Sequence, residues 1–286
     1  MLALCITCCL TAQSKDEIRL LVRADDMGSF ASANQACLDA ATKGIVRSIE
    51  VMVPAAWFPE AAKLLNENPS IDVGVHLVLT SEWENCKWRP LTHAKSLTDK
   101  DGYFYQLIWA RKDMPGCSLQ EARWDIHEIE AEFRAQIETA KKCIRNLTHI
   151  STHMGCAEWN EDIKSLLLNL AKEYNLYWQA NSPWEYFPKM NASSTDSPEK
   201  RINAFIEALG KLQRGKTYLF VEHPAYNTPE MQTVGMKGYM NVAEDRAGII
   251  RIFTDERVKK YIKEKGIRLV SYGELTSSQR STVREK

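Results

Sequence analysis

No charge of either sign is in excess in this chain. Lysine and arginine together number 37, and so do aspartate and glutamate, so no bulk field recruits nucleic acid or an anionic membrane. Low-complexity tracts, heptad runs and internal repeats are lacking, which excludes coiled coils and solenoids. No apolar run approaches the roughly 20 residues that a membrane-spanning helix needs. The eight cysteines show no CxxC spacing. The five beyond the first dozen residues (Cys37, Cys86, Cys117, Cys143 and Cys156) are scattered and odd in number, so they read as neither a disulfide scaffold nor a cysteine zinc site. Cys86 and Cys117 flank one long loop, which leaves a single bridge between them open in an oxidising compartment.

What is present suits a globular domain. Of the 286 residues, 44% are hydrophobic and 26% charged, enough for a core, and this length fits one α/β barrel as well as two smaller domains. Nothing marks a second domain. Residues 1–12, MLALCITCCLTA, are apolar and small, and the chain turns polar abruptly at Gln13. That pattern reads as a signal-peptide remnant with Ala12 before the cleavage point, which predicts a secreted or periplasmic protein built from residues 13–286. The alternatives are an apolar N-terminal strand in a cytoplasmic protein, or a lipid anchor on Cys8 or Cys9.

Short β-branched runs alternate with helical segments. Strands are expected at 18–22, 45–53, 71–79, 147–152, 176–179, 218–221 and 267–270. Helices are expected at 33–41 (closed by Gly44 as a C-cap), 55–65, 124–143, from an Asn160 cap to 174, at 202–212 and at 258–265. Loops fill 182–198 and 227–242, and a long one covers 81–118. Loops of that length in a compact domain are functional or disordered, and the aromatic content of this one argues against disorder. About seven strands, mostly followed by helices, imply an α/β fold with a mainly parallel sheet. Chemistry in such folds gathers at the C-terminal ends of the strands.

Polar residues gather there too. Asp25 and Asp26 close the first apolar strand, where carboxylates are costly unless solvated or liganded. One carboxylate would bind a cation while its neighbour accepts a proton; the bland alternative is a solvated turn capping the next helix. His76 lies near the end of the third strand and His153 just after the fourth. Either alone reads as a hydrogen-bonded core histidine, but two imidazoles and a carboxylate at three strand ends are a normal ligand set for zinc or a similar divalent ion. His149, deeper in its strand, reads as structural, and His93 and His127 as bland. His223, in Glu222-His223-Pro224, is a general acid facing the site or a loop cap. Trp83, Trp88 and Trp109 form a sugar-stacking wall or simply pack the long loop down.

Together these residues resemble a known family. Arg23-Ala24-Asp25-Asp26-Met27-Gly28, Gly74-Val75-His76-Leu77-Val78-Leu79-Thr80, Thr152-His153-Met154-Gly155, Glu222-His223-Pro224 and the closing Gly266 to Leu275 stretch occur in the order of YdjC-like carbohydrate deacetylases. The resemblance covers the chain from about Ile18 to Leu275. It implies a single distorted (β/α) barrel related to NodB-type polysaccharide deacetylases. It also implies metal-dependent removal of N-acetyl groups from amino-sugar glycans, with zinc ahead of magnesium as the ion. Carried over by motif, Asp26, His76 and His153 match the metal ligands, Asp25 the base and His223 the acid. Arg246 falls where an arginine holds Asp25 or the substrate, and Trp88 is assigned to substrate. The partner implied is an oligosaccharide or glycan, and a homo-oligomer is left open. The chain departs from the family at Ser151, where many members carry an aspartate, which leaves metal affinity and substrate open. The rival readings are an ester or phosphoester hydrolase on the same barrel and a non-catalytic carbohydrate-binding relative.

Overall fold

Among the described residues eight strands run parallel in one curved sheet, and the polarity of their two faces decides where chemistry can occur. The computed structural model describes residues 16–178 and 184–276; the proposed leader at 1–12 lies outside the described residues. The strands are β1 (Ile18–Met27), β2 (Ser48–Val51), β3 (Asp72–Leu77), β4 (Leu147–Thr152), β5 (Tyr177–Trp178), β6 (Glu185–Tyr186), β7 (Thr217–Glu222) and β8 (Ile267–Val270). They are ordered β5-β4-β3-β2-β1-β7-β6. β7 lines one edge of β1, while β8 and β2 divide the other edge between its first and second halves. The helices are α1 (Ala31–Thr42), α2 (Phe58–Glu67), α3 (Ile126–Cys143), α4 (Glu161–Glu173), α5 (Pro198–Leu209), α6 (Val242–Thr254) and α7 (Glu256–Glu264). This is the α/β barrel-like architecture that the alternating pattern implies. Among the described residues no helix is long and apolar enough to cross a membrane.

Strand register separates two environments. Leu20, Val22, Ile49, Val51, Val73, Val75 and Ile150 point to the helical layer and join its core, with α1 packed on β1, α3 on β3 and α4 on β5. On the opposite, inner face, register aligns Arg23 with Ser48 and Asp72, Glu50 with Gly74 and His149, and His76 with Ser151. All of those polar side chains are buried. A small apolar cluster of Leu21, Leu219, Val270, Tyr272 and Leu275 lies apart from the main core. Buried polar groups are tolerated only when partnered, so this inner face is a network by necessity.

Several elements differ from expectation for identifiable reasons. The second strand is shorter, and Gly44 is not a left-handed cap: Lys43 ends α1 in a right-handed conformation. Gly44 is required for space, since a Cβ there would lie 2.3 Å from the Phe253 carbonyl oxygen. Helix α6 carries no sequence signal strong enough to predict it. Its N-cap Asn241 makes no side-chain cap bond, and Gly248 interrupts it where a Cβ would meet the Arg201 guanidinium at 2.1 Å. Helix α5 begins earlier than expected, capped by Ser197 with a proline in its first turn, and β6 lies in a stretch expected to be loop. Asn160 caps α4 as expected, accepting from Asp162 N and Ile163 N. The 81–118 loop is folded down through buried Trp83, Trp88, Leu97, Phe104 and Ile108. The Cys86–Cys117 bridge is not formed: both are free thiols, as are Cys37, Cys143 and Cys156.

Candidate active site

Side-chain alternation along β1 ought to send Asp25 and Asp26 to opposite faces. A bulge prevents this. The β1–β2 register shifts between Ala24 and Met27, and Asp26 takes φ 68°, a left-handed conformation costly for any residue with a Cβ. A bulge re-aims side chains, so Asp25 Oδ2 and Asp26 Oδ1 lie 3.7 and 3.6 Å from one atom, His76 Nε2. Such strain persists only where surroundings over-determine it. Here Ser29 donates to the Asp26 carbonyl from both its N (3.2 Å) and its Oγ (2.6 Å), and Gly28 N donates to Asn34 Oδ1 at 2.6 Å.

Ser151 donates its hydroxyl proton to Glu50, so its oxygen accepts from His76 Nδ1, 2.6 Å away. That assigns the tautomer of His76 and leaves the Nε2 lone pair facing the two aspartates. Burial, then the charge of His153, holds His76 well below its ordinary pKa, so no second proton fills the gap. His153 Nε2 meets Glu82 Oε2 at 2.9 Å, and His153 Nδ1 lies 3.3 Å from Asp26 Oδ1. Burial lowers the pKa of His153, but the carboxylates of Glu82 and Asp26 outweigh it and push it up to about 10. Positive charge is therefore favoured at this point. Asp26 Oδ1 is buried and has no hydrogen-bond partner.

Ligand atoms of Asp26, His76 and His153 all lie within 4.8 Å of one another. Two atoms each about 2.1 Å from one tetrahedral ion stand roughly 3.4 Å apart, close to the 3.3 and 3.6 Å separations seen here. The donor set fits a single divalent cation.

Asp25 is held differently. Arg23 grips it through two parallel bonds of 2.7 Å, Nε to Oδ1 and Nη2 to Oδ2, while Arg23 Nη1 donates to Tyr272 Oη at 3.1 Å. Arg246, on α6, holds Asp26 rather than Asp25, donating from Nη2 to Oδ2 at 2.7 Å. His223 directly follows β7, its side chain 40% exposed. Burial lowers its pKa, but Asp26 and Glu222 leave it raised overall.

Comparison with known proteins decides the family, because the pattern of YdjC-like proteins matches residues 19–264. The chain belongs to the YdjC-like family. A carbohydrate deacetylase of Brevibacillus brevis is 27% identical over 270 residues, covering 90% of this chain and all of that one. One from Thermus thermophilus is 33% identical over 204 residues, covering 63% and 69%. A chitooligosaccharide deacetylase of Yersinia enterocolitica is 28% identical, covering 89% and 98%. A solved structure from Enterococcus faecalis, provisionally described as a cellobiose-phosphate cleavage protein, superposes with a TM-score of 0.71 at 24% identity, covering 91% and 99%. That likeness shows the fold.

In this YdjC-like chain, Asp25, Asp26, His76 and His153 come together as the motifs imply, with Arg246 against Asp26. Trp88, assigned to substrate, is buried and presents no open ring. It is 5% exposed, donates from Nε1 to Thr80 O at 2.6 Å, and turns its ring to His153 at 6.3 Å. Trp83 is buried under Arg246, whose guanidinium stands 5.3 Å from the ring. Of the expected wall only Trp109 is open, at 48%, beside the Gly155 turn. Ser151, where the resemblance implies an aspartate, keeps a bond to His76 as a hydroxyl. Glu50 and Glu82 lie outside the motifs of the resemblance, Arg23 and Tyr272 lie inside them with no role assigned, and Trp57, 39% exposed, is a further open ring.

Proposed function

We propose that this protein removes acetyl groups from N-acetylated amino sugars in oligosaccharides or longer glycans. In this reading Asp26, His76 and His153 hold one divalent ion, zinc ahead of magnesium. The observation that carries it is the buried convergence of Asp26 Oδ1, His76 Nε2 and His153 Nδ1 beside Asp25, where the two carboxylates favour positive charge. The substrate class rests on relatives named as carbohydrate and chitooligosaccharide deacetylases. When bound, the ion polarises the amide carbonyl and makes a nearby water more acidic. Asp25, aimed by Arg23, takes the proton of the attacking water. His223, at the open edge, gives a proton to the departing amine, a poor leaving group without it. Acetate release from N-acetylated chitooligosaccharides, restored by Zn2+ after chelation, tests the reading; cleavage of phosphoesters with no acetate release would sink it. Export belongs to the same proposal, on the strength of residues 1–12, and recovery of the intact leader on cytoplasmic protein would remove it.

The sign of the His223 shift gives a check on the ion. Its raised pKa depends on Asp26, so in the metal-free chain it titrates above the ordinary histidine range, and its acid form persists to correspondingly higher pH. Zn2+ on Asp26 opposes that field and lowers the His223 midpoint, as does Asp26→Asn. NMR titration of the ring proton reads both. A midpoint that stays put or rises on adding Zn2+ would place the ion away from Asp26.

Two open rings lie on segments that follow the strands, Trp57 39% and Trp109 48% exposed. Trp109 covers the turn after β4, and Trp57, after β2, donates its Nε1 to Glu230 at 3.0 Å at a hollow of about 540 Å³ that Trp88 and Tyr103 also line. Aromatic stacking contributes about 1 kcal/mol. Trp57→Ala and Trp109→Ala are each expected to raise KM for oligosaccharides about fivefold, with kcat little changed. Trp88→Ala, by contrast, should cost about 3–5 kcal/mol of stability. Equal KM effects on a single N-acetylated sugar and on its oligomers would argue against both rings as glycan platforms.

A further inference from the structure

Behind His76 lies a row of buried side chains that the reaction does not use. Glu50 on β2 and His149 on β4 meet across β3 at Gly74, with which both are in register. Both are 0% exposed. One Glu50 oxygen accepts from Ser151 Oγ and the other bonds His149 Nε2. His149 is fixed in turn: its Nδ1 lies 2.7 Å from Thr148 Oγ1, which donates to Asp72 at 2.6 Å, and Tyr272 stacks on it at 4.0 Å. Burial pushes the Glu50 carboxyl up, but His149 and Arg23 outweigh it and hold it below its ordinary range. It is therefore an anion with no path to water.

The two ligand imidazoles differ in what backs them. His153 has a carboxylate, Glu82, directly on its outer nitrogen. His76 has only the Ser151 hydroxyl, and a hydroxyl can donate as easily as it accepts. Left alone, Ser151 would not choose the tautomer of His76. Its proton is committed to Glu50, so the choice is made one bond further away.

We propose that Glu50 is the positioning carboxylate for His76, acting through Ser151, so that glutamate and serine together supply what a single carboxylate at 151 would. The proposal rests on the metal reading of Asp26, His76 and His153. It concerns which residue orients a ligand, not which residue binds. Outer-shell partners of metal-bound histidines fix the ring and raise its basicity, and removing one costs about 10–100-fold in metal affinity.

The test uses the full-length, metal-free chain titrated with Zn2+ against a fluorescent chelator. Glu50→Gln and Ser151→Ala should each weaken Zn2+ binding about 10–100-fold, and the double variant should be no weaker than either, because both break one path. Ser151→Asp alone sets two buried carboxylates against each other and lowers the melting temperature. Combined with Glu50→Gln it returns the carboxylate to the path and binds Zn2+ at least about tenfold tighter than Glu50→Gln. A merely structural Glu50 gives no such rescue. Should Glu50→Gln not fold, Ser151→Ala carries the test, since it leaves the Glu50–His149 contact in place. Single variants that bind Zn2+ within about twofold of wild type, or a double variant without rescue, overturn the proposal alone. A wild-type chain that binds no Zn2+ overturns it together with the metal reading.

Discussion

Asp25→Asn is expected to lower deacetylation by about 10²–10⁴-fold, the range that a positioned general base contributes, while one Zn2+ per chain stays bound. The two halves of this result separate the adjacent aspartates. Asp26 Oδ1 faces both imidazoles and has no hydrogen bond, whereas both Asp25 oxygens are engaged by Arg23. An amide at 25 removes the proton acceptor without touching the ligand set; an amide at 26 removes a ligand. Arg23 is 6% exposed, and leaving its charge unpaired costs about 3–5 kcal/mol, so Asp25→Asn should also melt earlier. Activity is therefore read well below that transition, with bound zinc measured on the same sample. Loss of zinc from Asp25→Asn with retention in Asp26→Asn would exchange the two roles.

How much of this site the sequence exposes depends on how far apart its partners are. The triad is legible because each ligand ends, or directly follows, an apolar run, and a strand end is where a ligand is presented. The common aim of Asp25 and Asp26 is not, since it needs a bulge that shows only in the pairing of β1 with β2. Glu82, Glu50 and Tyr272 meet their partners across 71, 101 and 249 residues, and no local pattern encodes such contacts. The tryptophans fail for a different reason. Composition places Trp83, Trp88 and Trp109 alike in one loop, but the folding of that loop buries the first two. Helix α6 hides behind Gly248, a residue chosen to admit Arg201 rather than to make a helix, and with it goes the partner of Arg246, which is Asp26. His149, by contrast, is structural as its depth in the strand suggests.

Gly74→Ala should be the most damaging single methyl added to the inner face. Its Cβ would stand 2.3 Å from Glu50 Oε2 and 2.4 Å from His149 Nε2, where no real contact is tolerated. Neither neighbour can swing away, since Glu50 is tied to Ser151 and His149 is stacked on Tyr272. The chain must either part the β2–β3–β4 ladder or break the Glu50–His149 contact and strand a buried charge. Overpacking costs about 1–3 kcal/mol and an unpaired buried charge about 3–5, so a loss of about 4 kcal/mol is expected, near 10 °C in melting temperature for a domain of this size. Zn2+ binding should weaken with it, because the same displacement pulls Glu50 off Ser151 and frees the tautomer of His76. Differential scanning calorimetry and the chelator titration, run on one preparation, give both numbers. Gly74→Ala melting within about 2 °C of wild type, with unaltered Zn2+ affinity, would mean that Glu50 and His149 do not meet across this glycine, and the path from Glu50 to His76 would lose its foundation.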